Sequence, residues 1–220
     1  MTDATWDPTT PVFRDLLPPE AWRAMLGHGQ RPHAAGELLL RQGDAGTHVL
    51  ALTEGMVKVL RRAADGKETL LAFRGPGEIL GEMAVQDGAA RLADVVTISR
   101  CRVSVVPRAA FVRLVAEHEL APALAHHTLQ RLRQRIQSSE GPVVRRLAEA
   151  LIRLVTVTGS PRVAVSKAEL AQHLQVSRNS VLDALRAYGP GRVLSEHKSI
   201  TVVDREALAA FLSPPFDGSA

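Results

Sequence analysis

The spacing of apolar residues along this chain of 220 residues predicts strands first and helices later. Between residues 12 and 108 the apolar residues fall in short runs that glycine-containing turns separate. Runs of this kind are typical of an antiparallel β-roll or barrel, and a brief helix is expected ahead of them at residues 21–26. The predicted strands read ELLLRQG, HVLALTEG, MVKVLRR, ETLLAFRG, VVTISR and CRVSVV.

The pattern becomes helical from residue 108 to residue 140. Apolar positions recur there at steps of four, three and four residues, which is the spacing of a coiled-coil seam. We expect this seam to pair with its counterpart in a second copy of the chain; packing against the helix's own domain is the alternative. The seam residues are Ala125, Leu129, Leu132 and Ile136, and the flanking Arg131, Arg133 and Arg135 are expected to stay in water.

Glycine and proline at residues 141 and 142 end this helix, because both residues oppose its continuation. We therefore expect a hinge at residues 138–142 and a further helix at residues 143–157. The chain would then divide into a β-roll domain (1–108), a dimerisation helix (109–140) and a C-terminal domain (141–220).

A helix-turn-helix is predicted within the C-terminal domain. Ser166 and Glu169 match a capping box, which begins a helix at residue 167. After a tight turn at residues 175 and 176, Ser177 can cap a second helix that ends near Tyr188. The inward residues are Leu170, Ala171 and Leu174 on the first helix and Val181, Leu182 and Leu185 on the second.

The outward face of the second helix carries Arg178, Asn179 and Asp183. The segments RVLSE and SITVV follow as two strands, with His197 and Lys198 at the tip between them. A helix held in this way fits the major groove, with its first residues at base edges. The segment therefore predicts a winged helix-turn-helix with double-stranded DNA as its partner; a helix pair in a helical domain is the alternative.

Charge is distributed unevenly along the chain. The net charge is +4 and the isoelectric point is about 9.8. Lys and Arg number ten against thirteen Asp and Glu in residues 1–99, ten against four in residues 100–153, and seven against six in residues 154–220. Since the predicted DNA-reading region is not strongly basic, phosphate contacts must come from a few well-placed residues.

Several classes of protein are excluded by the composition. The single cysteine, Cys101, allows no intrachain disulfide and no cysteine-ligated cluster within one chain, and is expected to be a small buried hydrophobe. No apolar run approaches the roughly 18 residues of a membrane span, and the N-terminus is not signal-like, so we expect a cytoplasmic protein with no membrane partner. The histidines form no H-x-H pair and are expected to be scattered on the surface, with no metal site. Because no nucleophile–base pair or phosphate loop is visible, we do not expect an enzyme.

Five segments in order resemble the CRP/FNR family of transcription regulators. They are GELLLRQGD (36–44), LTEGMVKVL (52–60), GPGEILGEM (75–83), RVSVVPRAAF (102–111) and the helix-turn-helix of residues 166–203. The resemblance spans about residues 12–203. It implies an α+β fold with an N-terminal antiparallel, jelly-roll-like β-roll, a long dimerisation helix and a C-terminal winged helix-turn-helix. It also implies a dimeric, sequence-specific bacterial regulator that works with RNA polymerase.

The resemblance places a phosphate cassette in the turn that begins at residue 81. It implies Glu82 as acceptor for a ribose hydroxyl and Arg91 as a forked donor to a phosphate, with cyclic AMP or another cyclic nucleotide as effector and no other cofactor. Leu92 stands where the family has a hydroxyl residue, and Asp94 adds a negative charge nearby. There are two alternatives to a cyclic nucleotide: another small ligand, or a structural Glu82–Arg91 ion pair in a pocket that binds nothing. The candidate ligand residues are Gly81, Glu82, Met83, Arg91 and Leu92.

On the DNA side the resemblance implies that Arg178 reads guanine. Asn179 and Asp183 stand where the best-known members have glutamate and a second arginine, so we expect a half-site other than TGTGA. Phosphate contacts are implied for Ser166, Lys167, Ser177 and Ser180, and for His197 or Lys198 at the hairpin tip.

The resemblance, the seam and the hinge together suggest how such a protein would be switched. The state of the roll pocket would alter helix pairing, and the hinge would then set the spacing of two recognition helices. Two rivals stay open: a ligand-independent regulator of the same fold, and a cyclic-nucleotide-binding module that controls a protein partner.

Overall fold

Eight strands form two antiparallel sheets in the first part of the computed structural model, which describes residues 11–137 and 141–212, apart from the side chains of residues 134–137. The strands are β1 (Gln30–His33), β2 (Leu38–Leu40), β3 (His48–Glu54), β4 (Val57–Arg62), β5 (Glu68–Arg74), β6 (Ile79–Leu80), β7 (Asp94–Thr97) and β8 (Cys101–Pro107). One sheet has the order β1-β8-β3-β6 and the other β2-β7-β4-β5, so the predicted antiparallel β-roll is confirmed. Strands β1 and β6 were not predicted.

Strand β3 explains why the roll has an apolar core on both sides of one sheet. Leu50 and Leu52 pack between the two sheets with residues of β2, β4 and β7. Val49 and Ala51, whose side chains alternate to the other face, pack with the helices. Cys101 joins the inter-sheet core and is buried as expected, with its thiol 3.3 Å from the carbonyl oxygen of Met56.

The helices of this first unit are α1 (Pro19–Leu26), α2 (Glu82–Asp87), α3 (Arg108–Glu117) and α4 (Ala121–Gln137). The expectation of one helical stretch from residue 108 to residue 140 is therefore wrong. Glu119 has a φ of 50°, and the buried Leu120 anchors the turn between α3 and α4. Pro122, which is tolerated only in a first helical turn, is the local signal for this restart.

The predicted seam lies on the exposed side of α4. Ala125 is exposed, and the side chains of Leu129 and Leu132 keep 54% and 56% of their surface. Leu124, on the opposite side of the helix, is buried against α1, α3 and the roll. The side chain of Ile136 lies outside the described residues, and pairing of the seam stays a prediction.

The second unit contains the predicted helices and hairpin, with boundaries within a residue or so of the predicted ones. A third strand, β9, completes a sheet of order β10-β11-β9, and a short helix, α8, follows the hairpin; neither was predicted. The elements are α5 (Val143–Thr158), β9 (Arg162–Val163), α6 (Lys167–His173), α7 (Arg178–Tyr188), β10 (Val193–Ser195), β11 (Ile200–Val202) and α8 (Arg205–Ala209).

Two buried polar side chains fasten the start of α5 to the helix-turn-helix. The hydroxyl of Tyr188, at the end of α7, donates to the carbonyl of Val144. The guanidinium of Arg146 donates to the carbonyl of Leu174, which ends α6. Because burial raises the pKa of the Tyr188 phenol, that hydroxyl remains a donor throughout the physiological range.

The chain divides into its two units between residues 137 and 138. The predicted hinge includes residues 138–140, which lie outside the described residues. None of the helices in residues 11–137 and 141–212 is long and apolar enough to cross a membrane.

Candidate DNA-binding surface and ligand site

The capping box that begins α6 is present as predicted. Ser166 Oγ accepts from the backbone N–H of Glu169 at 3.2 Å, and a carboxylate oxygen of Glu169 accepts from the backbone N–H of Ser166 at 2.8 Å. The two bonds satisfy donors that a helix start would otherwise leave unpaired. They also fix the position of Lys167, the first residue of α6.

The recognition helix α7 begins with a second side-chain cap. Ser177 Oγ accepts from the backbone N–H of Ser180 at 3.0 Å, and the two hydroxyl oxygens lie 2.8 Å apart. Arg178 and Asn179, in the first turn, are exposed. The first turn therefore presents two polar side chains outward, with two hydroxyls beside them.

The turn between α6 and α7 depends on one residue in the left-handed region. Gln175 has a φ of 55°, and the backbone N–H of Val176 donates to the carbonyl of Ala171 at 2.9 Å. Together with the bond from Arg146 to Leu174, this closes the end of α6 and directs the chain into α7. One backbone bond and one side-chain bond thus fix the turn that leads into the recognition helix.

The hairpin tip is held against the first helix of the motif. Lys167 Nζ donates to the carbonyl oxygen of Glu196 at 2.7 Å, and Arg162 pairs with the Glu196 carboxylate at 2.5 Å. His197 and Lys198, which follow, are exposed. The structure therefore brings Lys167 close to the tip residues, although 30 positions separate them in sequence.

Asp183 is not an isolated charge on the recognition helix. Its Oδ1 accepts from Arg186 Nη1 at 2.8 Å, and both side chains are largely exposed. Arg186 did not enter the sequence analysis. The spacing of three residues between an acidic and a basic residue on a helix was the signal that could have found it.

The cassette around α2 is built on Gly81. This residue has a φ of 82°, which favours glycine, and a Cβ there would lie 2.0 Å from Arg91 Nη1, so a larger residue would displace the Arg91 guanidinium. Arg91 is buried, and it donates from Nη1 to the Gly81 carbonyl at 3.1 Å and from Nη2 to the His48 carbonyl at 2.6 Å. Burial lowers the pKa of this guanidinium, while the nearby Asp44 and Glu82 oppose that effect.

Glu82 pairs with α4 and not with Arg91. Its Oε1 accepts from Arg131 Nη1 at 2.6 Å, and the structural Glu82–Arg91 ion pair that stood as an alternative is not formed in the described structure. The expectation that Arg131 stays in water is also wrong. The physical reason is that the roll brings two buried carboxylates to the inward face of α4, and Arg131 is the cation that compensates them.

Glu78 is the second of these carboxylates. Its Oε2 lies 3.0 Å from Arg131 Nη2 and 2.9 Å from His127 Nε2. His127 is buried, with its ring 5.2 Å from that of Phe13, which corrects the expectation that the histidines are scattered on the surface. Although burial alone would raise the pKa of Glu78, the close contact with His127 and the charge of Arg131 hold this pKa at about 2.

The remaining cassette residues face outward or are already paired. Met83 is exposed, and Leu92 keeps 58% of its surface. Asp94 is buried, where its Oδ1 accepts from the Gln42 backbone N–H at 2.6 Å and its Oδ2 lies 3.5 Å from Arg62 Nη2. The carboxylate of Asp94 is therefore already hydrogen-bonded and lies near a cation.

Two family models match the chain, one for each unit. Residues 30–118 match the cyclic nucleotide-binding domain, and residues 145–211 match the Crp-like helix-turn-helix domain. The chain belongs to the CRP/FNR family. A member from Thermus thermophilus, a cyclic AMP receptor protein, is 28% identical over 84% of this chain and 91% of its own length. A CRP-like cAMP-activated global transcriptional regulator from Mycobacterium tuberculosis is 28% identical over 79% of this chain and 84% of its own length.

Solved structures of CRP/FNR proteins share the fold. A CRP-family transcriptional regulator from Thermus thermophilus superposes with a TM-score of 0.63 at 22% identity, covering 86% of this chain and all of the other. The c-di-GMP responsive regulator CLP from Xanthomonas campestris does so with a TM-score of 0.58 at 18% identity, covering 85% of this chain. The predicted α+β fold is confirmed, and the matches to the two family models show a DNA-binding transcription regulator. Within the described residues, no cluster of three or more His, Cys, Asp or Glu could hold a metal ion.

Proposed function

We propose that this regulator acts on DNA as a homodimer joined along the α4 seam. The two exposed leucines of the seam support this, because an apolar stripe at heptad spacing is buried when it meets a twin. Each recognition helix would enter the major groove of one half-site. The two half-sites would lie one helical turn, about 34 Å, apart. In this arrangement RNA polymerase is the partner that the DNA-bound dimer acts on.

The contacts with DNA divide into two groups. Arg178, Asn179 and Asp183, on the exposed face of α7, would lie at base edges. The phosphate contacts would set the register of the helix without reading sequence. They would come from Ser166, Lys167, Ser177, Ser180, His197 and Lys198.

We further propose that a cyclic nucleotide is bound at the cassette, with cyclic AMP as the first candidate. The observation that carries this is the buried Arg91 beside Gly81 and Glu82, within the segment that matches the cyclic nucleotide-binding domain. The relatives from Thermus and Mycobacterium are named for cyclic AMP, which supports the same ligand class.

The residues of the cassette fit such a ligand in charge and in hydrogen-bonding groups. Arg91 has five N–H donors, of which two donate to carbonyls, so donors remain for a phosphate. The Glu82 carboxylate, with one oxygen bonded to Arg131, has a second oxygen for a ribose hydroxyl. Leu92 supplies no donor, so the phosphate would have one hydrogen bond fewer than in members with a hydroxyl residue there.

Signalling from the cassette to DNA would pass through α4. Glu82 belongs to the cassette and its ion pair partner Arg131 belongs to α4, so a ligand that engages Glu82 also acts on the seam helix. The hinge at residues 138–142 would then set the spacing of the recognition helices. For this to work, the ligand must bind one helix arrangement more tightly than the other.

A ligand-independent regulator is the second candidate, and one observation favours it. The guanidinium of Arg91 is satisfied by two backbone carbonyls and held inside the roll, as a purely structural arginine would be. In this alternative the cassette would keep its shape without a nucleotide, and the dimer would bind its operator constitutively.

Calorimetric titration of the purified protein with cyclic AMP, cyclic GMP and cyclic di-GMP separates the two candidates. We expect heat with cyclic AMP that disappears in Arg91→Ala and persists in Arg102→Ala, a control that removes an exposed arginine of the same unit. Because a hydrogen bond to a charged group contributes about 1.5–3 kcal/mol, Leu92→Ser should tighten binding at least about tenfold. Silence from all three nucleotides, with operator still bound, would overturn the cyclic-nucleotide proposal and leave a ligand-independent regulator or one with an unrelated effector.

A further inference from the structure

A polar stripe runs along the outer face of the recognition helix. Asn179, Asp183 and Arg186 follow one another at steps of four and three residues, so they lie on one side of α7. All three are exposed. The opposite side of the helix is buried, through Val181, Ala184, Leu185 and Tyr188.

The ion pair within this stripe contributes little to the stability of the helix. The side chains of Asp183 and Arg186 are 69% and 76% exposed, and pairs of this kind contribute at most about 1 kcal/mol. The geometry of the ion pair has a clearer consequence for the position of the Arg186 guanidinium. Helical side chains lean toward the N-terminus, and the bond to Asp183 draws the Arg186 guanidinium further in that direction. This is the end of a recognition helix that meets base edges.

The pair also removes an electrostatic difficulty. A lone carboxylate on this face would be repelled by the phosphates on either side of the groove. Asp183 bonded to Arg186 forms a unit without net charge, which can enter between the phosphates. The bond uses one N–H of Arg186 Nη1, and the guanidinium keeps further donors for a second partner.

We infer that Arg186 is a base-reading residue of the recognition helix and that Asp183 is its positioning residue. Arg186 would donate to the O6 and N7 acceptors of a guanine in each half-site, the commonest specific contact of arginine in the major groove. Asp183 then acts through Arg186 and does not itself read a cytosine. This inference rests on the proposed DNA contacts and refines the role given there to Asp183.

Binding-site selection from random duplex DNA tests the inference, using the full-length wild type and the variants Arg186→Ala, Arg186→Lys and Asp183→Ala. Arg113→Ala serves as the matched control, because it also removes an exposed helical arginine that pairs with a carboxylate, but in α3 of the other unit. Dissociation constants for the selected operator and for random-sequence DNA are then measured at two salt concentrations. Thermal midpoints verify that each variant is folded.

We expect Arg186→Ala to lose the base preference at one position of each half-site and to bind the selected operator about tenfold more weakly. Arg186→Lys should lose the same preference while keeping affinity for random DNA, since lysine retains the charge but not the fork. Asp183→Ala should relax the same position and bind random DNA more tightly, because it removes a negative charge.

Two results would overturn the inference, and they are distinguishable. If the wild type selects an operator and Arg186→Ala selects the same one, with equal weakening on operator and random DNA, Arg186 contacts only phosphate and the inference alone fails. If the wild type selects no sequence, the proposed base contacts of α7 fail together with it.

Discussion

At the scale of single residues, the most consequential group is the buried cluster between the roll and α4. Two carboxylates of the roll, Glu78 and Glu82, meet Arg131 and His127 of the helix at hydrogen-bonding distances. Removing Arg131 would leave two buried carboxylates without their cation, which is far more costly than losing an exposed pair. The cluster therefore holds α4 against the roll by charge as well as by apolar packing.

The pH dependence of stability should reflect Glu78. Its pKa of about 2 lies below the ordinary value of 4.5, so its contribution to folding is present above pH 4.5 and is lost as the pH falls from about 4.5 to about 2. The shift corresponds to a contribution on the order of 3 kcal/mol. Glu78→Gln should therefore unfold at lower urea concentration at pH 7, and the difference from wild type should shrink as the pH falls below 4.5.

Urea titrations at several pH values between 7 and 3.5 measure this difference. Glu20→Gln, which alters an exposed carboxyl of α1, is the control and should follow the wild type at every pH. Curves for Glu78→Gln and wild type that stay parallel over the whole range would show that Glu78 does not carry this dependence.

Local patterns could not reveal this cluster. The heptad spacing singled out Leu129 and Leu132, which are exposed, but it assigned Arg131 to water because arginine beside a seam is usually solvated. The carboxylates that bury Arg131 are 49 and 53 residues away in sequence and reach it only through the fold of the roll. The same holds for Asp94, whose carboxylate accepts from the backbone N–H of Gln42, in the turn after β2, and lies 3.5 Å from the guanidinium of Arg62 on β4.

At the scale of elements, the predictions succeeded where the determining contacts are local. The caps at Ser166 and Ser177 lie within three residues of their partners, and both helices begin where the sequence indicated. Strand β1 was missed because it is an edge strand with an exposed, polar sequence, so it has no apolar alternation. The break before α4 was missed although Pro122 marks it.

Two glycines at the same backbone angle offer a test of close packing between elements of the roll. Gly55 and Gly66 both have a φ of 80°, but a Cβ at Gly55 would lie 2.1 Å from the Arg100 carbonyl oxygen, while nothing lies within 4 Å of one at Gly66. Gly66→Ala should therefore lower the free energy of unfolding by about 1 kcal/mol, the cost of holding alanine at a positive φ. Gly55→Ala should cost at least about 2 kcal/mol more, because backbone must move.

Chemical denaturation of both variants gives the comparison directly, provided that the denaturant dependence of the unfolding free energy is unchanged. Equal losses in the two variants would mean that the turn at Gly55 relaxes without strain. A larger loss for Gly66→Ala would contradict the packing argument altogether.

At the scale of the whole molecule, sequence and structure agree on a sensor-like roll followed by a DNA-binding unit. The order of the elements could be predicted because each unit has its own periodicity: short apolar runs in the roll, and capped helices with a hairpin in the second unit. Assembly of two copies requires a surface on which they can meet. The exposed seam of α4 is the surface that supports the proposed dimer.

Replacing Leu129 and Leu132 together by glutamate should therefore convert a dimer into monomers. Four half-exposed leucine side chains would be buried in a dimer, at about 1 kcal/mol each. Their loss corresponds to a dissociation constant at least about a thousandfold weaker, before the repulsion of the new carboxylates is added. Since both positions are exposed, the fold of the unit should survive, and operator binding should weaken because two half-sites are no longer held together.

Sedimentation equilibrium measures the dimer dissociation constant of wild type, the double variant and Val112→Glu. Val112 is the matched control, because it is an apolar residue with 51% of its surface exposed on α3, away from the heptad seam. Dissociation of the double variant alone assigns the interface to α4. Dissociation of Val112→Glu with an intact double variant would move the interface to α3, and two recognition helices would then have to be spaced by a different element.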